Sequence, residues 1–96
     1  MLKPELSGQF KRDYNLLKRR GYEIARLELI IQTLLRQLTP LEPQHRDHPL
    51  KGKWRGYRCC HVADEWVLVY KIDGERLKLM LSRTGTHYVP DLRRVI

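Results

Sequence analysis

Histidine is the side chain whose ordinary pKa lies nearest neutrality, so a site that must both take and give a proton near pH 7 commonly uses it. Four histidines occur in this 96-residue chain. Three of them, His48, His61 and His87, lie in or beside a basic, aromatic run from Asp47 to Trp66 and the near-terminal Arg83-Thr-Gly-Thr-His87. Glu65 stands across the short Ala63-Asp64 link from His61, and Arg83 places a permanently charged fork close to His87 at the end of a strand. Such a fork can offset the charge that builds on phosphoryl oxygens during an in-line attack. Together these residue types suit proton transfer on a polyanion. Any one histidine alone is more often structural or solvated, and it is the company of Arg and Trp that shifts the balance.

The run Lys51-Gly-Lys-Trp-Arg-Gly-Tyr-Arg58 alternates cations with glycines and aromatics. That composition suits phosphate contacts, close backbone approach and base stacking on single-stranded RNA. The competing role for Trp54 and Tyr57 is to plug the core. Lys and Arg number 19 against 11 Asp and Glu, a net charge of +8, which favours nucleic acid, an acidic membrane surface or an acidic protein as partner. His45, His48, Cys59, Cys60 and His61 offer metal-binding atoms, but the adjacent cysteines lack the spacing of structural zinc sites, so no metal or other cofactor is expected. Neighbouring residues on a strand point to opposite faces, which argues against an internal disulfide and for a reducing cytosol. No phosphate-binding Gly-rich loop, nucleophile elbow, zinc-protease helix or dinucleotide fingerprint is present. The N-terminus has no apolar signal core, and no window approaches the length of a bilayer span, so neither secretion nor a membrane partner is expected.

These groups need a frame, and the hydrophobic pattern supplies one. Residues 2–6 read as an edge strand, since Pro4 removes a ladder donor, and Ser7 can cap a helix. Phe10, Tyr14 and Leu17 recur at helical spacing over residues 9–20, with Gly21 as the stop. A second stripe of Ile24, Leu27, Ile31, Leu34, Leu35 and Leu38 spans residues 22–38 and is ended by Pro40 and Pro43. Residues 39–56 form a long loop of the kind that is often functional. Strands follow over 57–62, 66–72 and 76–84, the last two joined at Asp73-Gly74, a hairpin signal. In the middle strand Trp66, Leu68, Tyr70 and Ile72 share one face and Val67, Val69 and Lys71 the other, so it is central. The expectation is one α+β domain over residues 1–96: an N-terminal edge strand, a two-helix hairpin, then a three-stranded antiparallel meander with the helices on one face. A meander of this kind brings His61, Glu65 and His87 towards the same edge of the sheet.

Three motifs, Asp47-His-Pro-Leu-Lys-Gly-Lys-Trp-Arg-Gly-Tyr-Arg58, His61-Val-Ala-Asp-Glu-Trp-Val-Leu-Val-Tyr-Lys71 and Arg83-Thr-Gly-Thr-His87, resemble the YafQ branch of the RelE/ParE toxin superfamily. The resemblance implies a RelE-like fold and a bacterial, cytoplasmic toxin of a type II toxin-antitoxin pair. It further implies a ribosome-dependent mRNA endoribonuclease that needs no metal, with a cognate antitoxin, the ribosome and mRNA as partners. Carried over by motif position, His48, His61, Glu65 and His87 supply the proton-transfer groups. His87 is expected as general acid, His61 or Glu65 as base, His48 as a phosphate-positioning group and Arg83 as transition-state stabiliser. Lys51, Lys53, Trp54, Arg55, Arg58, Asp64, Trp66 and Tyr88 are expected to contact RNA. Glu65, preceded by Asp64, stands where the family usually has Asp. Asp91 stands where it has an aromatic, a place that Tyr88 or Trp66 could fill. Two other functions compete: a non-catalytic RNA- or protein-binding module, and a gyrase-directed toxin of the same superfamily.

Overall fold

The computed structural model describes residues 1–38 and 41–86. Strand β1, Lys3–Leu6, leads into helix α1, Gly8–Arg19. Ser7 Oγ caps that helix by accepting from Phe10 N at 2.9 Å, and it donates to the Ser82 carbonyl at 2.8 Å. One hydroxyl thus satisfies a helix-start amide and ties the helix to the sheet. At the other end Gly21, at φ +80, lets Tyr22 N reach Leu17 O and Gly21 N reach Lys18 O, which closes the helix with a left-handed cap. Lys18 and Arg19 sit in that last turn, where the helix dipole favours cations.

Helix α2 spans Ile24–Leu35, shorter than the apolar stripe suggests. Gln37 adopts φ 57, and Leu38 N bonds Thr33 O while Gln37 N bonds Leu34 O, so the chain leaves the helix before either proline. Leu38 is consequently 62% exposed and forms no part of the core.

Strands β2 (His48–Pro49), β3 (Arg58–His61), β4 (Trp66–Asp73) and β5 (Lys78–Thr86) complete a five-stranded sheet of order β1-β5-β4-β3-β2. The α+β class and the central position of β4 hold, and β1 is an edge strand, parallel to β5. Two features differ from expectation. The long loop is partly structured: it contributes β2 as the second edge, antiparallel to β3, and two short 3-10 turns, Pro43–His45 and Gly52–Trp54. The β4–β5 connection is a four-residue loop, residues 74–77, in which Asp73 Oδ1 accepts from Glu75 N and Arg76 N and Leu77 takes the left-handed conformation. Arg76 therefore lies in the turn rather than in the strand.

Period-2 alternation puts different cores on the two faces. Trp66, Leu68 and Tyr70 pack with Cys60, Leu79 and Leu81 against Phe10, Leu17, Leu27, Ile30 and Leu34 of the helices. Val67, Val69 and Cys59 form a smaller cluster on the other face with Leu50, covered by Trp54 and Tyr57. The adjacent thiols thus fall on opposite faces, both free, and burial pushes the Cys59 thiol up to about 11, with the charge of Asp47 adding to it.

Candidate active site

Pairing register fixes which residues share the face away from the helices. One row runs His48, Cys59, Val69, Arg83 across β2 to β5, and the next runs His61, Val67, Gly85. His48 and His61 are diagonal neighbours on adjacent strands, a separation of about 7–8 Å between Cα atoms, which suits two groups flanking one phosphodiester. Arg83 stands three strands from His48, roughly 14 Å at the usual spacing of about 4.8 Å. A bulge creates this arrangement: Tyr70 pairs with Leu81 but Val69 with Arg83, so Ser82 is the extra residue. Without it Arg83 would continue the helix-side alternation of Leu79 and Leu81.

His61 is 7% exposed at the end of β3. Its Nδ1 lies 3.1 Å from Arg46 Nη2 and 3.2 Å from the Asp64 carbonyl, and its own carbonyl accepts from His45 Nδ1 at 2.7 Å. His48 Nδ1 donates to the Arg46 carbonyl at 2.8 Å. Three histidines are therefore joined through one segment, residues 45–48, in which Arg46 has the left-handed backbone angles φ 42 and ψ 46. The neighbouring Asp47 anchors that segment from the helix side: its carboxylate accepts from Tyr70 OH at 2.7 Å and from Arg58 Nε at 3.3 Å, with Arg58 Nη2 at 3.2 Å. Burial lowers the Arg58 pKa, but the hydrogen bond and charge of Asp47 outweigh it and hold the guanidinium above its ordinary value. Burial, then Asp47, raises the Tyr70 hydroxyl in the same way.

Arg83 is buried, and its guanidinium grips Asp13 of α1, Nε to Oδ2 at 2.8 Å and Nη2 to Oδ1 at 3.3 Å. Asp13 Oδ2 also accepts Thr84 N at 3.2 Å. That amide belongs to the half of β5 that β1 does not cover, so a side chain takes the place of a ladder partner. The expected charged fork is thus present but shared with a carboxylate.

The other expected residues fall into two groups. Lys51, Lys53 and Arg55 are exposed on the segment leading into β3, and Asp64 and Glu65 are exposed in the β3–β4 turn, where they border a cleft of about 340 Å³ with Tyr22 and Trp66. The aromatic and remaining basic positions are engaged instead. Trp54 is half-buried, edge-on to Tyr57 at 5.2 Å, and roofs the smaller core. Trp66 is buried on the helix side, where its N–H donates to Thr84 Oγ1 at 2.9 Å and its ring meets Tyr22 edge-on. Arg58 is bound to Asp47 as above. His87, Tyr88 and Asp91 lie outside the described residues. Sequence reasoning passed over Asp13 and Arg46, took Asp47 only as the start of a motif and weighed His45 only as a metal-binding atom; for Asp13 the signal was an acid on the apolar stripe between Phe10 and Leu17.

Among the described residues, no group of three or more His, Cys, Asp and Glu is placed to hold a metal ion, and no helix is long and apolar enough to cross a membrane. The site is thus a five-stranded sheet with a helical pair on one face, His48 and His61 on the other and a basic segment beside them. Comparison with known proteins then places it: residues 2–90 match the family described as bacterial toxin of type II toxin-antitoxin system, YafQ, and the chain belongs to that family. It is 39% identical over 83 residues to the mRNA interferase toxin YafQ of Escherichia coli K12, covering 86% of this chain and 88% of that one. Its fold is similar to the E. coli DinJ-YafQ complex, with TM-score 0.84, 36% identity and coverage of 92% of this chain and 96% of the solved one. It is equally similar to a metal-bound toxin from Helicobacter pylori, with TM-score 0.84, 35% identity and coverage of 92% and 97%.

Proposed function

We propose that this toxin cleaves messenger RNA on the ribosome by acid-base attack of the ribose 2'-OH on the adjacent phosphate. A base removes the 2'-OH proton, O2' bonds to phosphorus, the bond from phosphorus to O5' breaks, and an acid protonates the departing oxygen. The products are a 2',3'-cyclic phosphate and a free 5'-OH. His48, His61, Glu65 and His87 supply the proton-transfer groups, and Arg83 offsets the charge on the phosphoryl oxygens while Asp13 holds it. Lys51, Lys53 and Arg55 hold the RNA backbone. The observation that carries this function is the register, which sets His48 and His61 as diagonal neighbours on the face away from the helices. The relative of known structure assembles with an antitoxin, DinJ; an acidic, partly apolar antitoxin suits the +8 charge of this chain. The setting for such an assembly is the bacterial cytoplasm.

The test is cleavage of a defined mRNA by purified protein with and without programmed ribosomes. Cleavage that requires ribosomes and disappears in His48→Ala supports the proposal. RNA binding with no product under either condition would establish the binding-module alternative instead, and arrested replication with intact mRNA would establish the gyrase alternative.

A further inference from the structure

Arg46 touches two histidines of the proposed site, His48 and His61, each through a different part of itself. Its backbone carbonyl lies 2.8 Å from His48 Nδ1, and its guanidinium Nη2 lies 3.1 Å from His61 Nδ1. A carbonyl can only accept and a guanidinium can only donate. The first contact therefore requires a proton on His48 Nδ1, and the second requires none on His61 Nδ1. We infer that Arg46 is a positioning residue that sets opposite tautomers in the two histidines. Neutral His48 then presents a lone pair on Nε2, and neutral His61 carries its proton on Nε2. This inference rests on the proposed ribonuclease reaction and deepens it.

The Asp64 carbonyl, 3.2 Å from His61 Nδ1, is the competitor. A ring protonated at Nδ1 would donate to it and lose Arg46. The guanidinium wins because a charged donor makes a hydrogen bond roughly twice as strong as a neutral one. Among the described residues, the groups near His61 besides these include His45 from the preceding 3-10 turn, which donates to the His61 carbonyl, Asp64 and Glu65 in the following turn, and His48 on β2, while Val67 opposite is uncharged. All of these remain when Arg46 is changed, so a difference between variants isolates its effect.

The chemical consequence is a division of labour. His48 Nε2 is the group that can accept the 2'-OH proton. His61 serves as a neutral hydrogen-bond donor to the phosphate, so this proposal differs from the sequence-based expectation of His61 or Glu65 as base and His48 as the phosphate-positioning group. Asp47 supports the arrangement by pinning the segment to Tyr70 and Arg58 from the opposite face.

The test is long-range 1H–15N NMR of the protein labelled at histidine nitrogen, which reports the protonated ring nitrogen of each histidine directly. In the wild type, neutral His48 is expected as the Nδ1–H form and neutral His61 as the Nε2–H form. In Arg46→Met, His61 should move to the Nδ1–H form, donating to the Asp64 carbonyl. His48 should not change, because the carbonyl at position 46 survives any substitution. Arg46→Asn, a side chain that tolerates the left-handed backbone, should behave alike if the Met variant folds poorly. In ribosomal cleavage both variants should lower kcat about tenfold with little change in KM, and should shift the pH profile. Nδ1–H on His61 in the wild type, or an unaltered His61 in both variants, overturns the inference even if mRNA is cleaved. The expected tautomers in a protein that cleaves nothing leave the positioning geometry standing and defeat the ribonuclease proposal instead.

Discussion

Asp13→Ala should be among the most destabilising single substitutions in this chain. The carboxylate and the Arg83 guanidinium are about nine-tenths buried, with side-chain exposures of 9% and 10%. They meet through two contacts, at 2.8 and 3.3 Å, and the same carboxylate accepts Thr84 N and Gln9 Nε2. Removing one partner of a buried pair strips a desolvated charge of its counter-ion and costs about 3–5 kcal/mol. The Thr84 amide loses its acceptor as well, a further cost of about 1 kcal/mol or more. Against a total stability of roughly 5–15 kcal/mol for a domain of this size, that is a large fraction. Urea unfolding of Asp13→Ala, Arg83→Met and the double variant closes a double-mutant cycle. The double variant should be much less damaged than the sum of the two singles, because the contact between the two groups is lost only once. A loss below about 1 kcal/mol in Asp13→Ala, or strict additivity, would refute the assignment of this pair as a buried, coupled anchor.

His48→Ala should slow mRNA cleavage on programmed ribosomes by about 10²- to 10⁴-fold, the usual worth of a proton-transfer group, with a urea midpoint close to wild type; His61→Ala should slow cleavage too and, because the ring is buried and bonded to Arg46, lower the urea midpoint as well. Alanine at Lys51, Lys53 or Arg55 should weaken single-stranded RNA binding and flatten its salt dependence, each by about 0.7 in the log-log slope, measured by fluorescence anisotropy; an unchanged slope would remove that segment from the interface. Stability should fall as pH rises from 9 towards 11. The Cys59 thiol holds its proton up to about 11 in the fold, against 9.0 when unfolded, so the unfolded state ionises first and gains. Urea unfolding at pH 8 and at pH 10.5 should show a pH-dependent loss of which Cys59 contributes on the order of 1–2 kcal/mol, the part that Cys59→Ala removes; Cys60 and Tyr70, also raised by burial, add to the loss in the same direction.

Periodicity made most of the frame legible. Ser7, Gly21 and the alternation from Trp66 to Ile72 each dictate local geometry through neighbours in sequence, and each appears where its pattern places it. Strand β2 was hidden because two residues, one of them Pro49, carry no alternation; it exists because Asp47 is held by Tyr70 and Arg58, a contact across 23 and 11 positions of chain. The end of α2 was overrun because Leu38 continues the stripe, whereas the left-handed Gln37 turns the chain away first. In the site, the histidines and the basic segment were visible as residue types. What they do was not, because it depends on long-range partners. Asp13 meets Arg83 across 70 positions, the bulge at Ser82 turns Arg83 to the histidine face, and Trp66 and Trp54 are drawn into the two cores.

If the face carrying His48 and His61 cleaves mRNA through attack by the ribose 2'-OH, the new RNA ends formed after a short induction carry its signature. Fragments with 2',3'-cyclic phosphate and 5'-OH termini are expected in the wild type, and neither in His48→Ala or His61→Ala. Fragments bearing 5'-phosphates, or the same ends at undiminished yield in both histidine variants, would contradict it.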